Sequence, residues 1–374
     1  MNFSADDNPV SPAPHLFVAL SGHGFGHLAQ AAPVLNALRR RLPALRLTVQ
    51  STLSGDVLQA RIAGALTLIP EAADLGMIMA SALEVKVAAS LAAYRAFHAD
   101  WENRLARQTT LLKEHAPDLL LANIPYLPLA AAARAGIPAV ALCSLNWADI
   151  LKAYWLEDTT VKQWRAIMLA AYNSAAVFLR PAPAMPMPEL HNTQAIGPIA
   201  TLGRDRRNEL DQRFGLPDDA VLVLVTLGGI DTPLPMARWP IHPGLYWIIP
   251  QAWNLRRSDC LQREQVADIP FIDLLRSSDI LLTKPGYGTF AEAACNGKPV
   301  LYVERRDWPE APYLAEWLHT HGNALLLSQE ALHSSDLAAP VQTLLAQPHR
   351  PALPPAGIEI AADCLYRYLT EMNQ

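Results

Sequence analysis

The amino-acid sequence predicts an α/β protein built from two doubly wound parallel-sheet domains. Three observations lead there. The chain has 374 residues, long for one core and comfortable for two domains of about 150–190 residues each. Short continuous apolar runs, of the kind buried on both faces of a parallel sheet, alternate with helical patterns. The alternation breaks at the proline-dense stretch PAPAMPMPEL (181–190) and then restarts.

HLFVAL, from His15, is the first strand. It runs into the glycine turn SGHGFGH and the helix AQAAPVLNALRRRL. LRLTVQST is the second strand and GALTLIP a weaker third. Residues 82–115 read as one long alanine-rich helical segment that stops before Pro117. PDLLLAN and IPAVALCS are further buried strands around the helix LPLAAAARAG, whose Gly136 suits a C-cap. The boundary belongs at the proline-dense stretch, giving an N-terminal domain over 15–195 and a linker with a short charged helix over 196–215. In the second domain, 216–350, the strands are AVLVLVTLGG, GLYWIIP, DILLT, KPVLYVE and NALLLS, with helices after the last three. The proline-rich interval IDTPLPMARWPIHP leaves little room for a helix. GIEIAADCLYRYLTEM, within 357–374, is an amphipathic C-terminal helix.

A composition of 51% hydrophobic and 17% charged residues with a net charge of -5 excludes disorder and a broad nucleic-acid footprint. Small-molecule chemistry is the default. Cys143, Cys260, Cys295 and Cys364 are far apart, with no CxxC pair and no histidine at metal-ligand spacing. No metal site is expected, and a reducing, cytoplasmic location fits. The first fourteen residues read as a loose tail rather than a signal peptide. No apolar run approaches the ~20 residues of a membrane span.

The glycine turn faces the N-terminus of a helix, where unsatisfied N–H groups and a positive dipole end await a ligand. Its glycines fall at 22, 24 and 26 and the next strand ends in VQST, which disfavours a dinucleotide. No lysine follows, which disfavours a P-loop. The remaining chemistry belongs to the imidazoles. His27, in the first helical turn, is placed to act as a general base towards an acceptor hydroxyl, and His23 to shape the loop. The competing reading is that both only cap or pack the turn.

The second half repeats this logic. After the strand ending at Thr283, the loop KPGYG brings Gly286 and Gly288 to the helix opened by Thr289. A diphosphate can rest on that helix end, and Glu292, one turn in, can accept both ribose hydroxyls. The plainer alternative for Glu292 is an acid favourably placed in a first turn. Gly228 and Gly229, in TLGGIDT (226–232), can approach a phosphate or simply make a tight turn. Arg305, Arg306, Asp307 and Glu310 lie beyond a strand's C-terminal end, where open α/β sheets bind ligands, and can read sugar hydroxyls. Trp147, Trp155, Trp164 and Trp308 can stack on a sugar or fill the core.

GHGFGH (22–27), SLNWADI (144–150), PMP (186–188), LGG (227–229), KPGYGTFAEA (284–293) and RRDWPEAPYL (305–314) keep their order over most of the chain. On these motifs the sequence resembles the GT-B glycosyltransferases, among them the families of the lipid-II N-acetylglucosaminyltransferase and the plant UDP-glycosyltransferases. It is more similar still to the glycosyltransferase-like N-terminal region of plant arabinokinases. Their kinase part has no counterpart here, so sugar phosphorylation is not implied. The resemblance implies two Rossmann-like domains with parallel sheets facing across a cleft, the donor nucleotide on the C-terminal domain and the acceptor on the N-terminal one. His27 matches the catalytic histidine, Glu292 the ribose-binding acid, and Gly288 with Thr289 the diphosphate loop. In the plant enzymes an Asp after the PDLLLA strand orients the histidine. Asn123 takes that place here, and Asp149 is the candidate substitute.

The expected activity is an inverting transfer of a hexosyl or N-acetylhexosaminyl group from a nucleotide diphosphate-sugar, UDP favoured, to an acceptor hydroxyl. The acceptor is a small molecule or a lipid-linked one met at a membrane surface. No cofactor or metal beyond the UDP-sugar co-substrate is implied. Two alternatives stand beside it. One is a protein that binds nucleotide or sugar without turnover; the other is a nucleotide-sugar epimerase with Asp149 and Glu310 as its visible acids or bases.

Overall fold

The apolar runs of the first half pair in parallel into a seven-stranded sheet in the computed structural model, which describes residues 13–229, 232–334 and 336–371. Its elements are β1 (His15–Leu20), α1 (Gly26–Arg41), β2 (Arg46–Gln50), α2 (Gly55–Gln59), β3 (Thr67–Ile69), α3 (Val87–Ala99), α4 (Trp101–His115), β4 (Leu119–Asn123), α5 (Tyr126–Ala135), β5 (Ala139–Leu142), α6 (Trp147–Tyr154), α7 (Thr159–Asn173), β6 (Val177–Pro181) and β7 (Thr193–Ile196). The strand order is β3-β2-β1-β4-β5-β6-β7. β1 is buried along its whole length, and its side chains alternate between two cores. Phe17 and Ala19 join one; Leu16, Val18 and Leu20 join the other. The register sets Leu20 opposite Asn123, so the glycine turn after β1 and the end of β4 meet at one edge.

The second sheet holds six strands in the order β10-β9-β8-β11-β12-β13. Here the elements are α8 (Arg207–Phe214), β8 (Val221–Val225), β9 (Leu245–Ile249), β10 (Cys260–Gln262), α9 (Phe271–Ser277), β11 (Ile280–Thr283), α10 (Tyr287–Cys295), β12 (Val300–Val303), α11 (Ala311–His321), β13 (Ala324–Leu327), α12 (Gln329–Ser334) and α13 (Ala338–Leu345), followed by α14 (Gly357–Thr370). Between β8 and β9 the described residues form only a 3-10 turn, Met236–Arg238, as the prolines dictate. The tail at 1–12, Ile230 and Asp231 of the glycine turn, and residues 372–374 of the expected C-terminal helix lie outside the described residues.

Two expectations need correction, and the expected C-terminal helix finds its partner in the first domain. Residues 82–115 are two helices, not one: Asp100 ends α3 and opens α4. The corner lets His98 stack on Tyr126 and Trp164, at 5.8 and 5.2 Å, and Trp101 stack on Tyr126 at 5.7 Å. Aromatic packing thus overrides a continuous helical preference. The proline-dense stretch connects β6 to β7 inside the first sheet rather than separating the domains, and that sheet runs on to Ile196. The C-terminal helix returns to the first domain, where Ala361, Leu365 and Leu369 enter the core formed with α1. Arg41 pairs there with Glu359 at 2.5 Å and with Asp363.

Gly357 opens that returning helix, and a Cβ at this position would overlap the carbonyl oxygen of Gly197. The obstacle is backbone, which cannot swing aside as a side-chain end can. Gly357→Ala is expected to cost about 1–3 kcal/mol of stability, read as a lower midpoint in denaturant unfolding. An unchanged midpoint would mean that the helix docks loosely.

Candidate active site

A cavity of about 920 Å³ opens between the two domains. The glycine turn, Gln30, Ser144 and Trp147 line it from the first domain; the Gly228–Gly229 loop, Lys284, the start of α10, Glu292, Arg305, Trp308 and Glu310 line it from the second. The turn can reach it because Gly22 passes so close to Thr52 that a Cβ would overlap Oγ1, and Gly24 adopts φ +81°.

His27, in the first turn of α1, is buried. Its Nδ1 lies 2.8 Å from Asn123 Oδ1. Burial lowers its pKa to about 4, the Asn123 bond pulling the other way, so the ring is neutral at pH 7. Among the described residues no side chain hydrogen-bonds its Nε2. His23 is a wall rather than a base. It donates Nε2–H to the Met77 carbonyl at 3.1 Å, stacks on Trp308 at 5.8 Å and meets Trp147 edge-on at 5.5 Å. Burial pushes its pKa down to about 3.

Behind His27 the polar groups continue in a row. Asn123 Nδ2 donates to Gln30 Oε1 at 3.1 Å, Gln30 Nε2 to Ser144 Oγ at 2.9 Å, and Ser144 Oγ to Glu310 Oε1 at 2.6 Å. The last of these bonds crosses between the domains. Trp308 Nε1 donates to the other oxygen, Glu310 Oε2, at 3.1 Å. Burial raises the Glu310 pKa, while the bonds from Ser144 and Trp308 and the charges of Arg305 and Lys284 hold it down.

Asp149 does not join this row, so the expected substitute for an orienting carboxylate is corrected. β5 ends at Leu142 and Asn146 caps α6: its Oδ1 accepts from Asp149 N at 2.8 Å and its Nδ2 donates to Asp149 Oδ2 at 2.9 Å. The cap turns the Asp149 carboxylate back on its own helix, outside the cavity wall. Asn123 alone among the side chains of the described residues accepts from His27 Nδ1 within ordinary hydrogen-bond distance; Cys143 Sγ stands off at 3.8 Å.

On the facing wall, Gly228 adopts φ +86° and Gly286 caps α10, where Thr289 Oγ1 donates to the Gly286 carbonyl at 3.2 Å. Lys284 reaches between these loops, its Nζ 3.8 Å from where a Cβ would stand on either Gly228 or Gly286. No carboxylate among the described residues lies within 4 Å of it. Burial, aided by Arg305 and opposed by Glu310, lowers its pKa to about 7. A buried amine with no carboxylate of the described residues within 4 Å, beside two glycine loops and a helix N-terminus, has the chemistry of an anion site. Gly288 and Gly229 also let the domains approach: a Cβ would stand 3.1 Å from Ala29 and 3.0 Å from the Phe25 ring, respectively. Glu292 is buried with its pKa raised to about 7 by desolvation, Arg61 Nη1 standing 4.0 Å away.

The loop after β12 differs from expectation. Arg306 points to solvent and pairs with Glu304 at 2.8 Å. Its neighbour Arg305 is buried, lies 4.3 Å over the Trp308 ring and leaves Nε without a partner. The chain turns at Arg306 and Asp307, and of the two arginines only Arg305 lines the cleft. Asp307 does not line the cavity; it straps the domains together, Oδ2 accepting from Val85 N at 2.8 Å and its carbonyl from Tyr154 OH. Sequence reasoning gave no role to Lys284, although KPGYG displayed it, to Ser144, although it opens SLNWADI, or to Gln30, which carries no motif signal.

No protein-family profile matches the chain. It is 23% identical over 344 residues to the L-arabinokinase of Arabidopsis thaliana, an alignment covering 85% of this chain and 31% of that protein. The chain therefore spans about a third of that relative. An uncharacterized glycosyltransferase of Methanopyrus kandleri is 22% identical over 247 residues, covering 62% of this chain and 70% of that one. Among solved structures, the glycosyltransferase of kitacinnamycin superposes with a TM-score of 0.61 at 18% identity, covering 96% of this chain and 95% of that chain. A UDP-glucosyltransferase from Polygonum tinctorium capable of glucosylating indoxyl gives 0.59 at 14% identity, covering 96% and 99%. Two parallel sheets facing across a cleft, superposing over their whole length on these enzymes, give this chain the GT-B fold of glycosyltransferases.

Proposed function

We propose that this protein is an inverting glycosyltransferase that moves a hexosyl or N-acetylhexosaminyl group from a UDP-sugar to the hydroxyl of a small or lipid-linked acceptor. The observation that carries the reading is the pairing across one cavity of His27, whose Nε2 no side chain of the described residues bonds, and Lys284, which has no carboxylate of the described residues within 4 Å. The diphosphate rests on the α10 N-terminus, the Gly228–Gly229 loop and Lys284, and Glu292 accepts the ribose hydroxyls. His27 Nε2 takes the acceptor proton. The acceptor oxygen attacks the anomeric carbon from the opposite face as the bond to the phosphate oxygen breaks, its electron pair leaving with UDP. In this reading Lys284 and the helix end supply the positive charge that the leaving diphosphate needs, so no metal ion is called on.

UDP is favoured because its ribose gives Glu292 two hydroxyls, and a solved structure of the same fold is named a UDP-glucosyltransferase. No helix among the described residues is long and apolar enough to cross a membrane, and the four cysteines are buried and unpaired, which supports a cytoplasmic site of action. A second reading, a protein that binds nucleotide sugars without turnover, rests on Asn123, since an amide stabilises an imidazolium less than a carboxylate does. Calorimetric titration with UDP and a panel of UDP-sugars tests the donor site. Saturable binding that drops at least 10-fold in Glu292→Ala is expected; the absence of nucleotide binding in the unaltered protein would end the transferase reading.

A further inference from the structure

His27, Asn123, Gln30, Ser144 and Glu310 are all buried, so each hydrogen bond in their row must be filled by a proton from within it. Four links join the five groups and need four protons. Glu310 as a carboxylate supplies none. Ser144 must give its hydroxyl proton to Glu310, and its oxygen then accepts from Gln30 Nε2. Gln30 turns Oε1 to Asn123 Nδ2, and Asn123 turns Oδ1 to His27. Only an Nδ1–H completes the last link, which leaves the lone pair of Nε2 for the cavity. An asparagine without such backing could rotate its amide and force the opposite tautomer, the outcome that disables a histidine base.

We propose that Glu310, acting from the second domain through Ser144, Gln30 and Asn123, sets the tautomer of His27, and that an amide stands at 123 because the row has no proton for a second carboxylate. With Asp at 123 the same links would hold three protons for four bonds. Glu310, Ser144 and Gln30 are thus positioning residues, and His27 becomes a competent base only while Ser144 and Glu310 meet across the cleft. The consequence for catalysis rests on the transferase reading; the tautomer is a property of the protein alone.

Nitrogen NMR of histidine-labelled protein at pH 7 reads that tautomer without any substrate. The unaltered protein is expected to show His27 protonated on Nδ1. In Glu310→Gln the new amide keeps its oxygen on Trp308 Nε1 and donates to Ser144, so every bond in the row reverses and the proton moves to Nε2. Adding Asn123→Asp to that variant supplies the acceptor at the far end and returns the proton to Nδ1. Ser144→Ala cuts the row in the middle, and a mixture of tautomers is expected. Retention of pure Nδ1–H in Glu310→Gln, or in Ser144→Ala should the first variant fail to fold, overturns the proposal, as does a double variant that stays on Nε2. In turnover, Glu310→Gln is expected to lose at least 10-fold in kcat and the double variant to regain part of it. A protein that shows the expected tautomers yet transfers no sugar would refute the transferase reading and leave this one standing.

Discussion

Replacing His27 by alanine is expected to reduce turnover about 10²–10⁴-fold, the contribution typical of a positioned general base, while the affinity for UDP changes less than about 3-fold. The two effects separate because the groups are separate. The imidazole sits on the first domain, is neutral at pH 7 and lines the cavity, with Nδ1 held by Asn123 and Nε2 bonded by no side chain of the described residues. The proposed phosphate and ribose partners, Lys284, Thr289 and Glu292, are all on the second. The pH profile offers an independent check. A base must be unprotonated to act, and burial has lowered this one to about 4. At saturating UDP-sugar and acceptor, kcat should therefore stay level as pH falls from neutrality and decline only as it passes through about 4. A decline centred near the ordinary histidine value of about 6.5 would assign the base to a more exposed group. Equal turnover in His27→Ala would remove the imidazole from the chemistry altogether.

The parts of the site that lie within one strand-turn-helix unit were legible in the sequence. HLFVAL followed by glycines and a helical pattern located His27 in the first turn of a helix, and KPGYGTFAEA located Glu292 within a helix, although that helix opens at Tyr287 rather than at the expected Thr289. Short-range pattern and turn chemistry specify such units. What was not legible depends on which units meet. Gln30 and Ser144 are 114 positions apart and look like an unremarkable helix residue and a strand-end serine until β1, β4 and β5 align. The sequence offered Asp149 because a carboxylate was the expected partner, yet a local cap decides where that side chain points. Arg305 and Arg306 differ only in which side of a loop they face, and no periodicity governs a loop. The return of α14 to the first domain likewise follows from an apolar stripe finding its partner, and the stripe alone names no partner.

The affinity for a UDP-sugar is expected to be bell-shaped in pH with its maximum near 7, and each limb is expected to vanish with one substitution. UDP-glucose is the suitable titrant because its diphosphate has no proton that titrates in this range. Lys284 has its pKa lowered to about 7 in the free protein. A diphosphate favours the ammonium form, so binding takes up a proton above that value and affinity falls as pH rises past it. Glu292 has its pKa raised to about 7. Ribose hydroxyls donate best to the carboxylate, so binding releases a proton below that value and affinity falls as pH drops. This limb is the shallower one, because a protonated carboxyl still offers its carbonyl oxygen. Lys284→Met should remove the alkaline limb and weaken binding at pH 7 by about 30-fold or more, the cost of leaving a buried charge unpaired. Glu292→Gln should remove the acid limb and leave the alkaline one. Calorimetry in buffers of different ionisation enthalpy then reads net proton uptake in Glu292→Gln and net release in Lys284→Met. An alkaline limb that persists in Lys284→Met would mean that the diphosphate is held elsewhere, and Arg305, the other buried cation of the cleft, would be the group to examine.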